Sequence, residues 1–211
     1  MYSVKEIFYT LQGEGMHAGR PAVFCRFAGC NLWSGRESDR ANAVCKFCDT
    51  DFVGTDGIGG GKFDSAERLA QAISSNWQPA NSTKRKFVVL TGGEPLLQVD
   101  NDLINALKQE CFEVAVETNG TVLPPKGIDW LCCSPKNGSS LVIESGNEMK
   151  LVFPQRGPSP HDYEHLKFEH WFIQPMDGPE WKSNCEQAVN FCKSNPRWRL
   201  SLQTHKILGI A

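Results

Sequence analysis

Long hydrophobic runs and charge of one sign are both scarce in this chain of 211 residues. No stretch approaches the roughly 18 to 20 consecutive apolar residues of a membrane-spanning helix, and the opening MYSVKEIFYT lacks the basic and apolar regions of a secretory signal. The 22 Lys and Arg residues nearly balance the 24 Asp and Glu residues, giving a formal charge of -2. Binding to phosphate backbones or anionic membranes needs concentrated Lys and Arg, so we expect a cytoplasmic protein with neither partner.

Internal repeats and runs of like charge are also absent from the sequence. Hydrophobic residues make up 40% and charged residues 22% of the chain, values that exclude disordered and collagen-like proteins. A chain of this length buries one good core, and we therefore expect a single domain over residues 1–211.

Cysteine, by contrast, is abundant, with nine residues. In a reducing compartment these residues serve as metal ligands or as small buried hydrophobic side chains rather than as disulfides. Six of them lie in apolar strand or helix patterns and are predicted to be core residues: Cys25, Cys111, Cys132, Cys133, Cys185 and Cys192.

The remaining cysteines, Cys30, Cys45 and Cys48, include a C-x-x-C pair, a spacing that lets two thiolates bind one metal centre. His17 stands thirteen residues before Cys30 and is not a convincing fourth ligand. Three thiolates leave two kinds of site open. One is a zinc site with a free position, and the other is an iron–sulfur cluster in which one iron has no protein ligand and could bind a small molecule.

Segments of strand character alternate with segments of helical character along most of the chain. We predict strands over 21–27, 86–95, 112–120, 128–136, 149–154, 170–175 and 198–208, and helices over 64–75, 101–110 and 184–195. Asp64 at the N-cap of the first helix, with Glu67 three residues on, indicates a capping box. The glycine-rich stretch 54–63 is predicted to be a loop.

This alternation favours a mainly parallel sheet joined by right-handed crossovers. A closed eight-stranded barrel needs about 250 residues, and several of the predicted connections here have no obvious helix. We therefore predict an α/β fold built as an incomplete, splayed TIM-like barrel.

Polar motifs stand where the predicted strands end. They are TGGEP (91–95), ETNG (117–120), SPK (134–136), QPMDG (174–178) and QTHK (203–206). In parallel α/β folds, loops from successive strands converge at the carboxyl ends of the strands, and chemistry collects there. The five motifs together therefore predict one functional site.

With TLQGEG (10–15), FCRFAGCN (24–31) and CKFCDTDF (45–52), these motifs resemble the radical S-adenosylmethionine (SAM) superfamily. More narrowly, they are similar to the 7-carboxy-7-deazaguanine synthase family of queuosine biosynthesis, which TLQGEG and QTHK separate from other radical SAM enzymes. The likeness covers most of the chain. One departure is the first cysteine gap, C-x14-C-x2-C in place of C-x3-C-x2-C. Residues 31–44 are accordingly predicted to be a polar insertion in the cluster-binding loop.

The resemblance implies three cofactors: a [4Fe–4S] cluster on Cys30, Cys45 and Cys48, SAM on the open iron, and Mg2+ on Thr50. It also implies that an electron from the cluster cleaves SAM into methionine and a 5′-deoxyadenosyl radical. Glycines allow a close approach of the backbone to SAM, and a carboxylate pairs with its ammonium group. The implied SAM contacts are Phe47, Asp49, Gly92, Gly93, Glu94, Glu117, Asn119, Ser134, Lys136, Gln174 and Asp177.

The substrate implied by the resemblance is 6-carboxy-5,6,7,8-tetrahydropterin, which undergoes radical ring contraction to 7-carboxy-7-deazaguanine with loss of ammonia. A guanidinium forks onto two carboxylate oxygens, so Arg26 is expected to bind the substrate carboxylate. A flavodoxin-type electron donor and a homodimer are implied as well. The other expected substrate contacts are Leu11, Gln12, Gly13, Glu14, Thr91, His205 and Ala211.

Two alternatives remain open from the sequence. One is a different radical SAM reaction, such as activation of a glycyl-radical enzyme, which would need a groove for a protein substrate. The other is a zinc-stabilised binding module without catalysis. Colour separates the second from a cluster enzyme, because a zinc protein is colourless and an iron–sulfur protein is brown.

Overall fold

The computed structural model describes residues 1–78 and 85–211, and within these ranges nine strands form one sheet. The strands are β1 (Tyr2–Leu11), β2 (Pro21–Phe27), β3 (Gly61–Phe63), β4 (Lys86–Gly92), β5 (Phe112–Thr118), β6 (Trp130–Cys133), β7 (Ser145–Phe153), β8 (Lys167–Pro175) and β9 (Arg199–Leu200). The α-helices are α1 (Ala66–Ser75), α2 (Asn101–Gln109), α3 (Trp181–Ser194) and α4 (Thr204–Leu208). Over the described residues, no helix has both the length and the apolar character needed to cross a membrane.

The sheet is mainly parallel and open. Its strand order is β3-β1-β2-β4-β5-β6-β7-β8-β9, in which β1 pairs antiparallel with β2 and β3 while every other neighbouring pair is parallel. The sheet does not close, because β3 and β9 are its two edges. The connections over 119–129, 134–144 and 154–166, all of them described, contain no α-helix. The prediction of an α/β fold with an incomplete barrel is thus confirmed.

Alternation along the strands separates a core under the helices from a lumen inside the curved sheet. In β4, Val88 and Leu90 pack in the main core with the apolar faces of α1 and α2, whereas Phe87 and Val89 form a smaller cluster with Ala22 and Ala115. Successive side chains of a strand point to opposite faces, so Thr91 continues the second face. Each strand that carries this pattern delivers lumen-facing side chains to its carboxyl end.

The predicted helices and most predicted strands are present, but the capping of α1 differs from the prediction. Ser65, not Asp64, is the N-cap, and its side chain accepts the backbone N–H of Arg68. Asp64 instead forms an ion pair with the Arg68 guanidinium at 3.0 Å. The serine stands three residues before Arg68, which is the spacing a capping side chain needs.

The long strand predicted over 198–208 is wrong. Only Arg199 and Leu200 pair with β8, after which the chain turns back toward the first loop and forms α4. Thr204 donates both its backbone N–H and its hydroxyl to the carbonyl of Gly13, each at 2.9 Å. These contacts draw the chain out of the plane of the sheet.

Two further differences concern the first third of the chain and one cysteine. Residues 2–11, for which the sequence suggested no element, form β1, and the predicted loop 54–63 ends in β3, which pairs with β1. Cys111 is exposed rather than buried, because it occupies the turn between α2 and β5 with φ at 64°. Cys25, Cys132 and Cys133 are buried as predicted, whereas Cys185 and Cys192 are half-buried on α3.

Candidate active site

A cavity of about 330 Å³ opens at the carboxyl ends of the parallel strands. The structure brings nearly all the predicted site residues together around it, although they come from widely separated parts of the chain. Cys30 and Glu94 are the two that do not line it. Those that do are Leu11, Gln12, Gly13, Glu14, Arg26, Cys45, Phe47, Cys48, Asp49, Thr50, Thr91, Gly92, Gly93, Glu117, Asn119, Ser134, Lys136, Gln174, Asp177, His205 and Ala211.

The second glycine of TGGEP packs against the loop that carries the first cysteine. A Cβ on Gly93 would lie 2.1 Å from the carbonyl oxygen of Gly29 and 2.8 Å from the Cβ of Cys30. Only a residue without a side chain allows this approach. The backbone N–H of Glu94 donates to the Gly29 carbonyl at 3.0 Å, which joins the turn to the cysteine loop.

Glu94 itself is fully buried behind the turn. Its carboxylate accepts the backbone N–H of Leu96 at 3.0 Å, the hydroxyl of Thr118 at 2.8 Å and the backbone N–H of Asn119 at 2.7 Å. Burial raises its pKa, although these hydrogen bonds oppose the increase. The carboxylate therefore fixes the end of β4 to the end of β5 and points away from the cavity into which it was expected to project.

The C-x-x-C loop is held from outside by the insertion. Arg40, in a short 3-10 helix over Glu37–Asn42, donates to the carbonyls of Lys46 and Cys48, each at 3.1 Å. Its guanidinium also lies over the Trp33 ring, 4.0 Å from the ring centre. The polar insertion thus clamps the loop between Cys45 and Cys48.

The three thiols are free and lie near one another. Cys48 accepts a hydrogen bond from Cys45, which lowers the pKa of Cys48 to about 6, and burial raises the pKa of Cys30. Among residues 1–78 and 85–211, no three His, Cys, Asp or Glu side chains converge as the ligands of one metal ion do. Ligands of an iron–sulfur cluster bind different iron atoms, so they need not converge on a single point.

His17 lies far from this loop in the fold. Its ring contacts the rings of Phe87 and Trp130, at centroid distances of 5.1 and 4.3 Å, near the amino ends of β4 and β6. It takes no part in the cysteine site.

A buried group of three charges, here called the lumen ion cluster, crosses the bottom of the cavity. Lys150 in β7 lies 2.5 Å from Glu14 Oε2 and 3.2 Å from Glu117 Oε2, and only 4% of its side chain is exposed. Burial alone lowers the pKa of a lysine, but the acidic groups around Lys150 more than offset it and the pKa is raised. Burial likewise opposes ionisation of Glu14, yet the charge of Lys150 lowers the pKa of that carboxyl. Lys150 and Glu14 therefore carry opposite charges at neutral pH.

The side chain of Arg26 reaches the cavity on the lumen face of β2. Its Nε donates to Glu6 at 2.8 Å, and Glu6 comes from the neighbouring strand β1. The two terminal guanidinium nitrogens have no hydrogen-bond partner within the described ranges. They remain available to donate a bidentate pair of hydrogen bonds to a carboxylate of a ligand.

The C-terminal segment covers one side of the cavity. A second set of charges, here called the rim ion cluster, is formed by Lys206 of α4 with Asp49 at 2.5 Å and Asp177 at 2.6 Å. The Thr10 hydroxyl donates to the carbonyl of Ala211 at 2.7 Å, which ties the last residue to β1. Side chains of the rim ion cluster are 37 to 40% exposed.

Several cavity residues were not predicted from the sequence. Lys150 stands in the apolar run MKLVFP, where a lysine in a buried strand was a signal that an acidic partner lies opposite. Lys206 belongs to the QTHK motif, but no pattern linked it to Asp49 and Asp177. The others are Glu6, Phe8, Thr10, Phe24, Asp51, Thr118, Val152, Pro175, Met176 and Gln203.

Comparison with known proteins finds close relatives over the whole chain. A protein of Bradyrhizobium diazoefficiens named 7-carboxy-7-deazaguanine synthase is 61% identical over 99% of both chains. Proteins with the same name are 62% identical in Bordetella pertussis and 40% identical in Bacteroides thetaiotaomicron, each match covering 99% or more of both chains. No protein-family model matches the chain.

Among solved structures, the crystal structure of QueE from Escherichia coli resembles this fold. The TM-score is 0.66 at 26% sequence identity, and the match covers 95% of this chain and 93% of that one.

Proposed function

The chain belongs to the 7-carboxy-7-deazaguanine synthase family, and we infer that it is a radical SAM lyase that makes 7-carboxy-7-deazaguanine. It acts on 6-carboxy-5,6,7,8-tetrahydropterin, contracts the ring and releases ammonia. The product feeds queuosine and related deazapurine biosynthesis. The observation that carries this function is similarity over the full length to relatives of that name, in a chain whose separated motifs meet at one cavity.

The residues at the cysteine loop fit a [4Fe–4S] cluster. Cys45 and Cys48 are close enough to share a proton, and hydrogen bonding keeps the pKa of Cys48 at about 6, so that its thiolate, the ligand form, is available at neutral pH. Cys30 is brought up beside them by the close contact with Gly93. When bound, the cluster and SAM supply the one-electron chemistry that removes a hydrogen atom from the substrate and returns it.

The side chains of this protein would bind SAM along the carboxyl ends of β4, β5 and β8. Gly92 and Gly93 leave backbone groups open toward the cavity, and Asn119 and Gln174 supply polar atoms there. Glu94 acts behind this surface by fixing the turn, since its oxygens already accept three hydrogen bonds from the protein. We therefore assign it to holding the SAM site in shape.

The substrate would lie between β1, β2 and the lumen ion cluster. Arg26 presents two free guanidinium nitrogens to the substrate carboxylate, and Thr50 offers a hydroxyl to Mg2+, which favours oxygen ligands and keeps several waters. Glu14 would accept hydrogen bonds from the N–H groups of the pterin. His205 and Ala211 would close the pocket from the C-terminal side. A dry, closed pocket directs a reactive radical to the intended C–H bond.

A flavodoxin-type electron donor, a homodimer, a cytoplasmic location and a single radical SAM domain with its insertion at about 31–44 complete the proposal. They follow from the family and from the composition.

Anaerobic turnover tests the function. Reconstituted protein is incubated with SAM, Mg2+, a reductant and the carboxytetrahydropterin, and the deazaguanine and ammonia are measured by mass spectrometry and an ammonia assay. We expect equal amounts of both products. Methionine without a ring-contracted product would instead indicate a different radical SAM reaction, and a colourless zinc protein would contradict the proposal.

The magnesium assignment has its own test. Thr50→Ala removes the hydroxyl and is expected to reduce the stimulation of turnover by Mg2+, whereas Thr50→Ser keeps the hydroxyl and should retain it. An unchanged Mg2+ response in Thr50→Ala would remove this residue from the metal site.

A further inference from the structure

Lys150 occupies a position where an unpaired charge would be very costly. It lies in the middle of β7 with 4% of its side chain exposed, and it faces the lumen between Glu148 and Val152 on the same side of the strand. A buried ammonium is stable only when it is paired and hydrogen-bonded. Its two partners, Glu14 and Glu117, meet this condition.

Those partners come from two separate parts of the open barrel. Glu14 follows β1, near one edge of the sheet, whereas Glu117 lies in β5 and Lys150 in β7. Strands β2, β4, β5 and β6 separate β1 from β7 in the sheet, so Lys150 reaches Glu14 across the lumen. The ammonium of Lys150 therefore joins the loop that carries TLQGEG to the far wall, and the backbone N–H of Met16 adds a hydrogen bond to Glu148 of β7 at 3.1 Å.

Each carboxylate oxygen in this cluster accepts one hydrogen bond from the protein and can accept one more. Glu117 accepts Gln12 Nε2 at 2.8 Å on Oε1 and Lys150 at 3.2 Å on Oε2. Glu14 accepts Gln203 Nε2 at 3.0 Å on Oε1 and Lys150 at 2.5 Å on Oε2. A carboxylate offers about four lone-pair sites. The remaining sites of both residues, which line the cavity, are thus held in fixed directions.

The ammonium group also has a donor to spare. Two of its three N–H groups bond to Glu14 and Glu117, and within the described part of the chain the third has no partner. Acceptors and a donor therefore stand side by side on the cavity wall. A flat heterocycle with neighbouring N–H and C=O groups on one edge matches this arrangement.

We propose that Lys150 positions Glu14 and Glu117 across the lumen so that their carboxylates accept the N–H groups on one edge of a flat, amide-like heterocycle, while the spare N–H of the ammonium donates to the neighbouring C=O group. This inference rests on the proposed function, in which that heterocycle is the pterin ring. It adds a role for a residue that contacts neither the cysteine loop nor the TGGEP turn. Loss of the ammonium should therefore weaken substrate binding while SAM and the cluster are still held.

The test compares Lys150→Met, which keeps the length of the side chain and removes its charge, with Lys167→Met. Lys167 is an exposed lysine at the start of β8 and serves as the matched control. Binding of the carboxytetrahydropterin to reconstituted enzyme with SAM and Mg2+ is measured anaerobically by calorimetry, together with KM, kcat and the visible absorption of the cluster. Losing a hydrogen bond between charged groups predicts a roughly 10- to 100-fold weaker affinity and higher KM for Lys150→Met. Cluster absorption should be unchanged, and Lys167→Met should match the unaltered protein.

The outcomes separate the two proposals. If the unaltered protein neither binds nor converts the pterin, the proposed function fails. If it does and Lys150→Met binds the pterin within twofold of it, the positioning role is overturned and Lys150 is only structural. Should Lys150→Met not fold, Lys150→Gln, which removes the charge but keeps a polar side chain and leaves Glu14 unaltered, takes its place. The same affinity loss is expected there, and an affinity within twofold would again overturn the inference.

Discussion

The cavity has two groups of charges with the same composition, one lysine between two carboxylates, in very different surroundings. The side chains of the lumen ion cluster are only 4 to 23% exposed, and the cluster joins β7 to β5 and to the loop after β1. The rim ion cluster is 37 to 40% exposed and joins α4 to two loops. Water and salt screen the second but barely reach the first. We infer that the lumen ion cluster determines the shape of the pocket and the rim ion cluster only holds the C-terminal cover in place.

Removing the lysine of the lumen ion cluster should have the largest effect on stability. Lys150→Met leaves Glu14 and Glu117, whose side chains are 14% and 23% exposed, without their cation. Breaking a fully buried pair costs about 3–5 kcal/mol, and we expect a loss toward the lower end of this range because the carboxylates keep some contact with water. Urea denaturation of the apoprotein measures the change in the free energy of unfolding, with Lys167→Met as the control that should change little. A loss below about 1 kcal/mol would mean that the two clusters do not differ as we argue.

Substitution of Gly15, the residue after Glu14, should cause the next largest loss of stability. Gly15 has φ at +65°, and a Cβ there would lie 2.0 Å from Glu148 Oε1, a buried carboxylate next to Cys132. Gly15→Ala should therefore cost more than the roughly 1–3 kcal/mol of a strained backbone conformation alone. Gly19→Ala is the matched control, because Gly19 has φ at +85° but no atom within 4 Å of the added Cβ. Equal falls in melting temperature for Gly15→Ala and Gly19→Ala would show that crowding at Glu148 does not contribute to the loss.

Acid should reduce the difference between the unaltered protein and Lys150→Met. The pKa of Glu14 is lowered and that of Lys150 is raised, so the pair stabilises the fold between about pH 4.5 and 10.5, the ordinary values of the two groups. As pH falls through the lowered pKa of Glu14, the carboxylate takes up a proton and this contribution is lost. The gap in the free energy of unfolding should shrink by on the order of 1 kcal/mol between pH 7 and pH 4. A gap that stays constant would exclude the charge of Glu14 as its source.

Features that depend on local sequence pattern could be predicted, whereas contacts that depend on how the sheet curves could not. Strand and helix periodicity located β2 and α2 to within one residue and gave the first residues of β4 and β5. Motifs at strand ends indicated a site, and the structure gathers nearly all of its predicted residues at one cavity. These features depend on local pattern. The partners of Lys150 and Lys206 were not predictable, because both bridges join residues more than 25 positions apart and depend on how the sheet curves.

The errors have a related cause. A strand was predicted over residues 198–208, yet only Arg199 and Leu200 pair with β8, because Thr204 bonds to the Gly13 carbonyl across the open side of the barrel. Glu94 was expected to face SAM, but the Thr118 hydroxyl and the backbone N–H of Asn119, at the end of the neighbouring strand, draw its carboxylate inward. In both places a tertiary contact overrides the local pattern. The roles assigned to the individual cavity residues stay predictions.

Removing a contact between the insertion and the cysteine loop should have a smaller effect, which is measured as the rate of iron loss. Arg40→Ala removes two hydrogen bonds to the carbonyls of Lys46 and Cys48. The loop between Cys45 and Cys48 should then open more readily, and a chelator should remove iron from the reconstituted protein roughly 2- to 10-fold faster. Arg68→Ala, an exposed arginine on α1, is the control. Identical rates of iron removal from the two variants would show that the insertion does not support the loop.

Removing the lysine of the rim ion cluster should have the smallest effect on stability. Lys206→Met removes an ammonium shared by Asp49 and Asp177, but exposed ion pairs contribute only about 0–1 kcal/mol, because water competes for both charges. We expect a small fall in the melting temperature at low salt and no difference from the unaltered protein at about 1 M salt, where screening is nearly complete. Lys150→Met should keep its deficit at the same salt, since a buried pair is poorly screened. If salt abolished both deficits equally, burial would not be what distinguishes the two clusters.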